Sequence, residues 1–529
     1  RMAAAPIEPR ASAAAWADGR LTFWCACQGA GPAKQSLVEL YDFDEDHVRA
    51  IAPDVGGGFG AKAGPHREEL ALPALAKIVG KPVRYTETRS ENMIGMVHGR
   101  GQRQHVRMGG TKDGRITHYA LHVVQEAGAY AEIGAALPGL TGMMLPGTYD
   151  IEQLQYSSQS VVTNTTPVGA FRGAGRPEAA AAVERAVDLF AAEAGLDPAE
   201  VRRKNLVAPF SEPHTTGVGM TYDVGDYPGA LEAVLDAADY AELRADQARR
   251  REAGDHKCLG IGLSNYVEIT AMGGPEGGSE FGSVELLADG SVRALTGSTP
   301  HGQGHETAWA MIIADELGVA MERVQVLFGD TDLIPSANIT GGSRSAQLAG
   351  SAMLDASTKL VDSATDIAAS LLEANPSDVV LDRERGAFHV LGTPAKTVPW
   401  TEVAGAADEP LTGVSDFVQA SSSFPFGAHC AVVEVDIDTG SVTLLRHVAV
   451  DDCGTILNPL LADGQVHGGL AAGAAQALLE EVRYDEDGNP MTSNFADYGV
   501  ISATELPSFE RVEMVTPTPL NPVGAKGIG

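Results

Sequence analysis

Long apolar runs are missing from this chain. No stretch of about 18 apolar residues occurs, so no membrane-spanning helix is predicted. Cysteine is scarce: Cys25, Cys27, Cys258, Cys430 and Cys453 are odd in number and widely scattered, which argues against a disulfide framework. Only Cys25 and Cys27 are close, and no four cysteines have zinc or iron–sulfur spacing. Any redox chemistry therefore proceeds without an iron–sulfur cluster on this chain. Positive charge is short as well. There are 38 Lys and Arg against 70 Asp and Glu, a formal net charge of −32, which repels phosphates and makes nucleic acid a poor partner. Familiar catalytic signatures are absent. Neither Lys62 nor Lys526 follows a glycine, so the phosphate-loop pattern fails; Trp309 stands where His305-Glu-Thr-Ala-Trp309 needs a second histidine; and no G-x-S-x-G elbow occurs.

Glycine is what the chain has. Its 61 residues gather in short clusters, which points to tight turns and close backbone approaches. Five clusters precede helical patterns. Asp54-Val-Gly-Gly-Gly-Phe-Gly60 follows a strand-like Val48–Ala52 and leads to a helix near 65–79, stopped by Gly80. Gly169-Ala-Phe-Arg-Gly-Ala-Gly-Arg176 leads into an Ala-rich helix ending at Gly195, and Asp197-Pro198 caps the next. His301-Gly-Gln-Gly304 opens a helix over His305–Leu317. Thr340-Gly-Gly-Ser-Arg-Ser345 opens one that runs toward Glu373, and Gly464-Gln-Val-His-Gly-Gly469 leads into Leu470–Glu481. Between them Ile116–Val124, Ser283–Leu287, Val324–Phe328 and Val442–Val450 alternate like strands. The fold class is α+β, or mixed α/β. The polar, Arg-rich segment around 241–257 is the best boundary, giving domains 1–245 and 246–529.

Helix N-termini carry unpaired N–H groups and suit anions, and glycines let backbone approach a ligand. One such turn is uninformative; five point to a large anionic cofactor. Gly56-x-Gly58-x-x-Ala61, with Glu87 at the end of the next strand-like run, also satisfies a relaxed dinucleotide fingerprint. A nicotinamide-dependent dehydrogenase is therefore one alternative, although Lys62-Ala-Gly-Pro65 interrupts the helix that should follow. A non-catalytic cofactor-binding assembly protein is another.

Five segments together carry a resemblance: Pro53-Asp-Val-Gly-Gly-Gly-Phe-Gly-Ala-Lys62, Gly169-Ala-Phe-Arg-Gly-Ala-Gly-Arg-Pro-Glu178, Gly302-Gln-Gly-His-Glu-Thr307, Gly341-Gly-Ser-Arg-Ser345 and Gly524-Ala-Lys-Gly-Ile-Gly529. Val450-Asp-Asp-Cys-Gly-Thr-Ile-Leu-Asn-Pro459 and Gly464-Gln465 also fit. In this order the chain resembles the molybdopterin-binding large subunit of the xanthine dehydrogenase, aldehyde oxidase and aerobic carbon monoxide dehydrogenase family. The resemblance implies two elongated domains with the cofactor in the cleft between them. It implies molybdopterin, in the cytosine dinucleotide form, with molybdenum held by the pterin dithiolene and no protein metal ligand. Water-derived hydroxylation of an N-heteroaromatic or aldehyde carbon is the implied reaction. Electrons pass to an iron–sulfur subunit with [2Fe–2S] clusters and an FAD subunit, in a dimer of heterotrimers located in the cytoplasm.

Residue roles follow from the same resemblance. Gly58, Phe59 and Gly60 approach the metal with backbone groups. Gln303, between Gly302 and Gly304, binds the pterin, and Thr307 adds a hydrogen bond. Gly341, Gly342, Ser343 and Arg344 hold the dinucleotide phosphates. Gln465 lies near the metal's oxo ligand, Lys526 and Gly527 lie in the final loop, and Arg172 holds substrate or stabilises charge growing on it. Departures narrow the substrate. Gly173 stands where carbon monoxide oxidisers carry a copper-binding cysteine, and Ala63 where purine oxidisers carry a glutamate. With Ala174, this suggests a roomy pocket for a bulky substrate. Both ends read as cut: the family's general base, a glutamate, is expected directly after Gly529, and a fragment lacking it is expected to be inactive.

Overall fold

The computed structural model describes residues 1–274 and 277–528; Gly529 lies outside them. Strands β1 (Ala11–Ala17), β2 (Arg20–Cys25), β3 (Val48–Ile51) and β4 (Val83–Thr86) form a sheet in the order β3-β2-β1-β4. Strands β5 (Gln102–Gly110), β6 (Ile116–Gly128) and β7 (Gln153–Val162) form a second sheet in sequence order. The next strands are β8 (Lys257–Val267), β9 (Glu280–Leu286), β10 (Val292–Thr296), β11 (Val324–Leu327), β12 (Thr412–Phe417), β13 (Phe426–Asp436), β14 (Val442–Asp452) and β15 (Glu510–Met514). They make two four-stranded sheets, β11-β10-β9-β12 and β8-β13-β14-β15. Both are mixed, with parallel pairing of β10 to β11 and of β14 to β15.

The helices that matter for the site are α1 (Arg176–Ala194), α2 (Tyr227–Ala237), α3 (Tyr240–Ala253), α4 (His305–Leu317), α5 (Ser345–Leu372) and α6 (Pro459–Leu478). Their ends follow local rules. Gly195 and Gly318 close α1 and α4 in the left-handed region, at φ 70° and 63°. The Asp197 side chain caps Pro198–Asn205 by accepting from Ala199 N–H. The helix expected near 65–79 is two pieces, Arg67–Leu70 and Leu72–Val79.

One expectation is corrected. Gly464–Gly469 is not a turn. It lies inside α6, which starts earlier because Asn458 caps Leu461 N–H and Pro459 occupies the first turn. The polar 241–257 segment is largely helix α3, supported by Asp246 pairs to Arg249 and Arg250 at three- and four-residue spacing.

One apolar core joins the two halves of the chain. Val183 and Val187 of α1, Leu231 and Val234 of α2, and Leu121 of β6 pack with Leu263, Phe426, Val432 and Val448. A second core lies between α4, α5 and the β9–β12 sheet, around Trp309, Met353 and Leu360. The sheet β8-β13-β14-β15 gives its apolar face to the first core. Its other face meets α6, where Ala449 packs on Val466 and Leu470. The glycine-bearing loops sit where these layers meet.

Candidate cofactor site

The loop after β3 is held from behind by Gln28, which is 2% exposed. Gln28 Oε1 accepts from Gly60 N–H at 2.9 Å, and its Nε2 donates to Thr340 O at 2.9 Å. Its backbone donates to Lys62 O and accepts from Thr340 N–H. One side chain thus ties the first glycine loop to the fourth. A Cβ at position 58 would lie 2.5 Å from Gln28 Oε1, so this approach requires Gly58. Lys62 is buried and ion-paired to Glu8 at 2.9 Å. Phe59 adopts φ 55°, a conformation rare outside glycine, and is 40% exposed, so its ring is not a core element.

The second loop docks on the first. Arg172 N–H donates to Phe59 O at 2.8 Å, and Arg172 Nη2 donates to Gln465 O on α6 at 2.8 Å. The guanidinium lies against Gly468 and Gly469 of the same helix. Burial lowers the Arg172 pKa below the usual arginine value, opposed by nearby Glu268. Arg100 holds the loop in turn by donating to the carbonyls of Phe171 and Arg172. The Gln465 side-chain amide makes no hydrogen bond among the described residues, so it is free for a ligand.

The third loop faces the first. Asp54, Val55, Pro300, Gly302, Gly304, His305, Glu306 and Thr307 line a cavity of about 400 Å³. Gln303 folds over its own turn, its Oε1 accepting from His301 N–H at 2.7 Å and its Nε2 lying 3.5 Å from His301 Nε2. Burial pushes the His305 imidazole down to about 3, so it stays neutral beside Ser298. Ser298 Oγ also reaches Ser345 and Thr340, linking this turn to the start of α5.

The fourth and last loops meet behind α5. Gly527 packs on Ser343, and Ala271 N–H donates to Gly342 O. Buried Gln347 donates to Ser343 O and Thr270 and accepts from Ser423. Gln419 and Asn521 continue the network to Ala525 O. Lys526 is fully buried, 3.3 Å from Asp452 and over the Phe426 ring. Arg344 turns its guanidinium toward Gly277 O and Ser279 O and lies 3.6 Å from Glu280. Burial pushes the Glu280 carboxyl up to about 7. Gln28, Gln347, Gln419, Asn521 and Glu268 were not singled out from the sequence. Gln347 and Asn521 lie just outside quoted glycine motifs, and the others stand in no motif.

The nicotinamide reading fails on geometry. No helix follows Ala61, since the next begins at Arg67, and Glu87 is buried against Arg10 rather than open to a ribose. The arrangement does fit an elongated anion. The first turns of α4 and α5 have no side-chain cap, leaving N–H groups for a ligand, and α5 has no acid in that turn. Thr299 Oγ1, beside the cavity-lining Pro300, is buried without a partner. Such linked loops are of the class that suits an elongated phosphate-bearing cofactor.

Known proteins agree with this class. The molybdopterin cofactor-binding domain family matches residues 1–206 and again 233–507. The carbon monoxide dehydrogenase large chain of Afipia carboxidovorans is 35% identical, over 97% of this chain and 66% of its own length. The nicotine 6-hydroxylase large subunit of Paenarthrobacter nicotinovorans is 33% identical, over 100% of this chain and 67% of its own. The crystal structure of quinoline 2-oxidoreductase from Pseudomonas putida 86 superposes with a TM-score of 0.94 at 32% identity, covering 100% of this chain and 70% of that one. The chain belongs to the molybdopterin-binding large-subunit family of molybdenum hydroxylases. It spans about two thirds of the length of these curated relatives.

Proposed function

We propose that this chain carries the molybdopterin site of a hydroxylase that places water-derived oxygen on an electron-poor carbon. The observation that carries the proposal is the linkage of the loops: Gln28 ties residues 60 and 340, and Arg172 ties 59 and 465. When bound, the molybdenum centre supplies an activated water-derived nucleophile and takes up two electrons. The chain's residues bind and orient. Gly58, Phe59 and Gly60 bring main chain to the metal end, with Gln465 on the opposite side. Gly302, Gln303, Gly304 and Thr307 receive the pterin at the start of α4. Gly341, Gly342, Ser343 and the uncapped turn of α5 receive the phosphates of a cytosine dinucleotide tail; Arg344 contributes its backbone, and Lys526 and Gly527 close the site behind. Arg172, desolvated and fixed at Gln465 O, stabilises charge that grows on the substrate.

The proposed substrate is a bulky N-heteroaromatic or an aldehyde, as relatives named for nicotine and quinoline suggest. Gly173 disfavours carbon monoxide. It adopts φ 98°, and a Cβ there would lie 2.2 Å from the Pro177 ring, so a copper-binding cysteine does not fit this backbone. An iron–sulfur subunit and an FAD subunit complete the proposed cytoplasmic assembly, and residues 1–245 and 246–529 form the two proposed lobes. Assay of the full-length protein with its partner chains tests the proposal. Turnover of quinoline- or pyridine-type substrates or aldehydes is expected. Turnover of carbon monoxide alone contradicts the substrate class, and a folded protein with cofactor but no hydroxylation contradicts the enzyme.

A further inference from the structure

A strand at the edge of a sheet leaves one row of backbone N–H and C=O groups with no strand to bond, and proteins protect such edges with charge, proline or shortness. Most edges of this chain are protected in these ways. β3, β4 and β11 are four residues long. β8 opens on Lys257, β12 carries Asp416, and β15 carries Glu510, Arg511 and Glu513. In the small sheet of residues 379–399 one edge, Val379–Asp382, has four residues, and the other, Thr393–Pro399, holds Lys396 and two prolines. The two edges of the sheet β5-β6-β7 differ. β5 presents Arg103, His105 and Arg107. β7, Gln153-Leu-Gln-Tyr-Ser-Ser-Gln-Ser-Val-Val162, runs for ten residues without a charge or a proline. Ser157 to Val162 are all exposed, Val162 at 60%. Its strand partner is β6, and beyond that pairing residues 153–162 make no main-chain hydrogen bond among the described residues.

The side chains of β7 fall in two rows. Tyr156 Oη donates to Pro138 O and Ser160 Oγ to Ala135 O, so the even-numbered residues face the helix Ile133–Met143. Ser157 Oγ lies 2.9 Å from His122 Nδ1 on the other face. A strand added to this edge must set like face beside like face. For a second β7 running antiparallel across a two-fold axis, that rule puts the axis on a residue rather than between two. About Ser158, Leu154 meets Val162, Tyr156 meets Ser160, Gln155 meets Val161 and Ser157 meets Gln159, while Glu152, just before the strand, meets Asn164. About Ser157, Val162 would face Glu152, and about Gln159, Leu154 would face Asn164.

We propose that β7 pairs edge to edge with β7 of a second copy of this chain, about a two-fold axis at Ser158, joining two three-stranded sheets into one of six strands. Two chains that each carry a net charge of −32 repel one another, and residues 153–162 give them a line of contact to which neither brings a charge. The pairing forms about ten main-chain hydrogen bonds, the number a typical protein interface carries. It uses the same surface on both copies, so it closes at two and leaves no β7 edge open.

Cys258 is the exposed cysteine and the other four are buried, so cross-linking can be read in a Cys258→Ser background. The test uses the full-length protein purified with its partner chains. Ser158→Cys under oxidised glutathione is expected to give a disulfide-linked dimer of this chain on a non-reducing gel, because paired Cα atoms across an antiparallel ladder lie about 4.5–5.5 Å apart, within disulfide reach. Ser363→Cys, at an exposed position on α5, is expected to give none. Ser158→Lys sets two ammonium groups against each other at the axis. It is expected to weaken self-association at least about 100-fold in sedimentation equilibrium, the scale of a like-charge clash in an interface, with molybdenum content unchanged. Ser158→Thr is expected to associate like wild type. A Ser158→Cys chain that stays unlinked, a Ser363→Cys chain that links equally fast, or a Ser158→Lys protein that associates like wild type overturns the pairing. So does a wild-type protein that sediments with one copy of this chain.

Discussion

At the end proposed to take the metal and pterin, residues 56–60 and 301–304 offer main chain, and Gly58 lets it come close to Gln28. At the end proposed for the dinucleotide tail, the receiving loops are braced from behind by the side chains of Gln347, Gln419 and Asn521. The difference matters for what each end tolerates. A backbone cradle is ruined by added volume, whereas a side-chain network is ruined by lost hydrogen bonds.

The largest expected effect is at the metal end. Gly58→Val forces atoms into Gln28, 2.5 Å from the would-be Cβ, and is expected to remove nearly all bound molybdenum, measured by metal analysis. Its cost in urea unfolding is expected to be only about 1–3 kcal/mol. Gln347→Leu is expected to reverse that balance. It removes the Gln347 hydrogen bonds to Ser343 O, Thr270 and Ser423, the last two keeping only each other, costs about 2–4 kcal/mol in urea unfolding, and leaves part of the metal bound. If both variants lose metal and stability equally, the distinction between the two ends falls.

Much of the metal end was legible because glycine has few reasons to cluster. Residues 56–60, 169–175, 302–304 and 341–342 all lie in loops, as their composition required. Gly464–Gly469 misled, because Asn458-Pro459 starts α6 earlier and Gly468 and Gly469 instead give Arg172 room against the helix. The side chains that brace the loops were nearly silent. Gln28 reaches Thr340, Gln347 reaches Thr270 and Ser423, and Asn521 reaches Gln419, partners 312, 77, 76 and 102 residues away, and no local pattern encodes such pairs. The fold class followed from helical and alternating periodicities. The joining of Val183 and Phe426 in one core did not, since it depends on distant packing.

A smaller effect is expected in pH dependence. His305 is held neutral with its value lowered to about 3, so the unfolded chain binds a proton that the folded one refuses. Its contribution is fully present above about pH 6.5, the unfolded histidine value, and falls as pH drops toward 3. His305→Asn should flatten the decline in urea stability between pH 6.5 and 4 by about 2–3 kcal/mol; an unchanged slope contradicts it. The smallest effect is expected at the rim, where Arg49 pairs with Asp330 across the two halves at 3.0 Å. Arg49→Ala should cost less than about 1 kcal/mol by the same unfolding measurement, because the arginine is solvated.

The most direct test is X-ray anomalous scattering at the molybdenum edge from crystals of the purified protein. One molybdenum per chain is expected, between Phe59–Gly60 and the Gln465 side of α6, with continuous pterin density reaching the first turn of α5. A folded protein whose metal lies elsewhere, or whose cleft binds no pterin although produced with molybdenum supplied, contradicts the claim that these loops grip one cofactor.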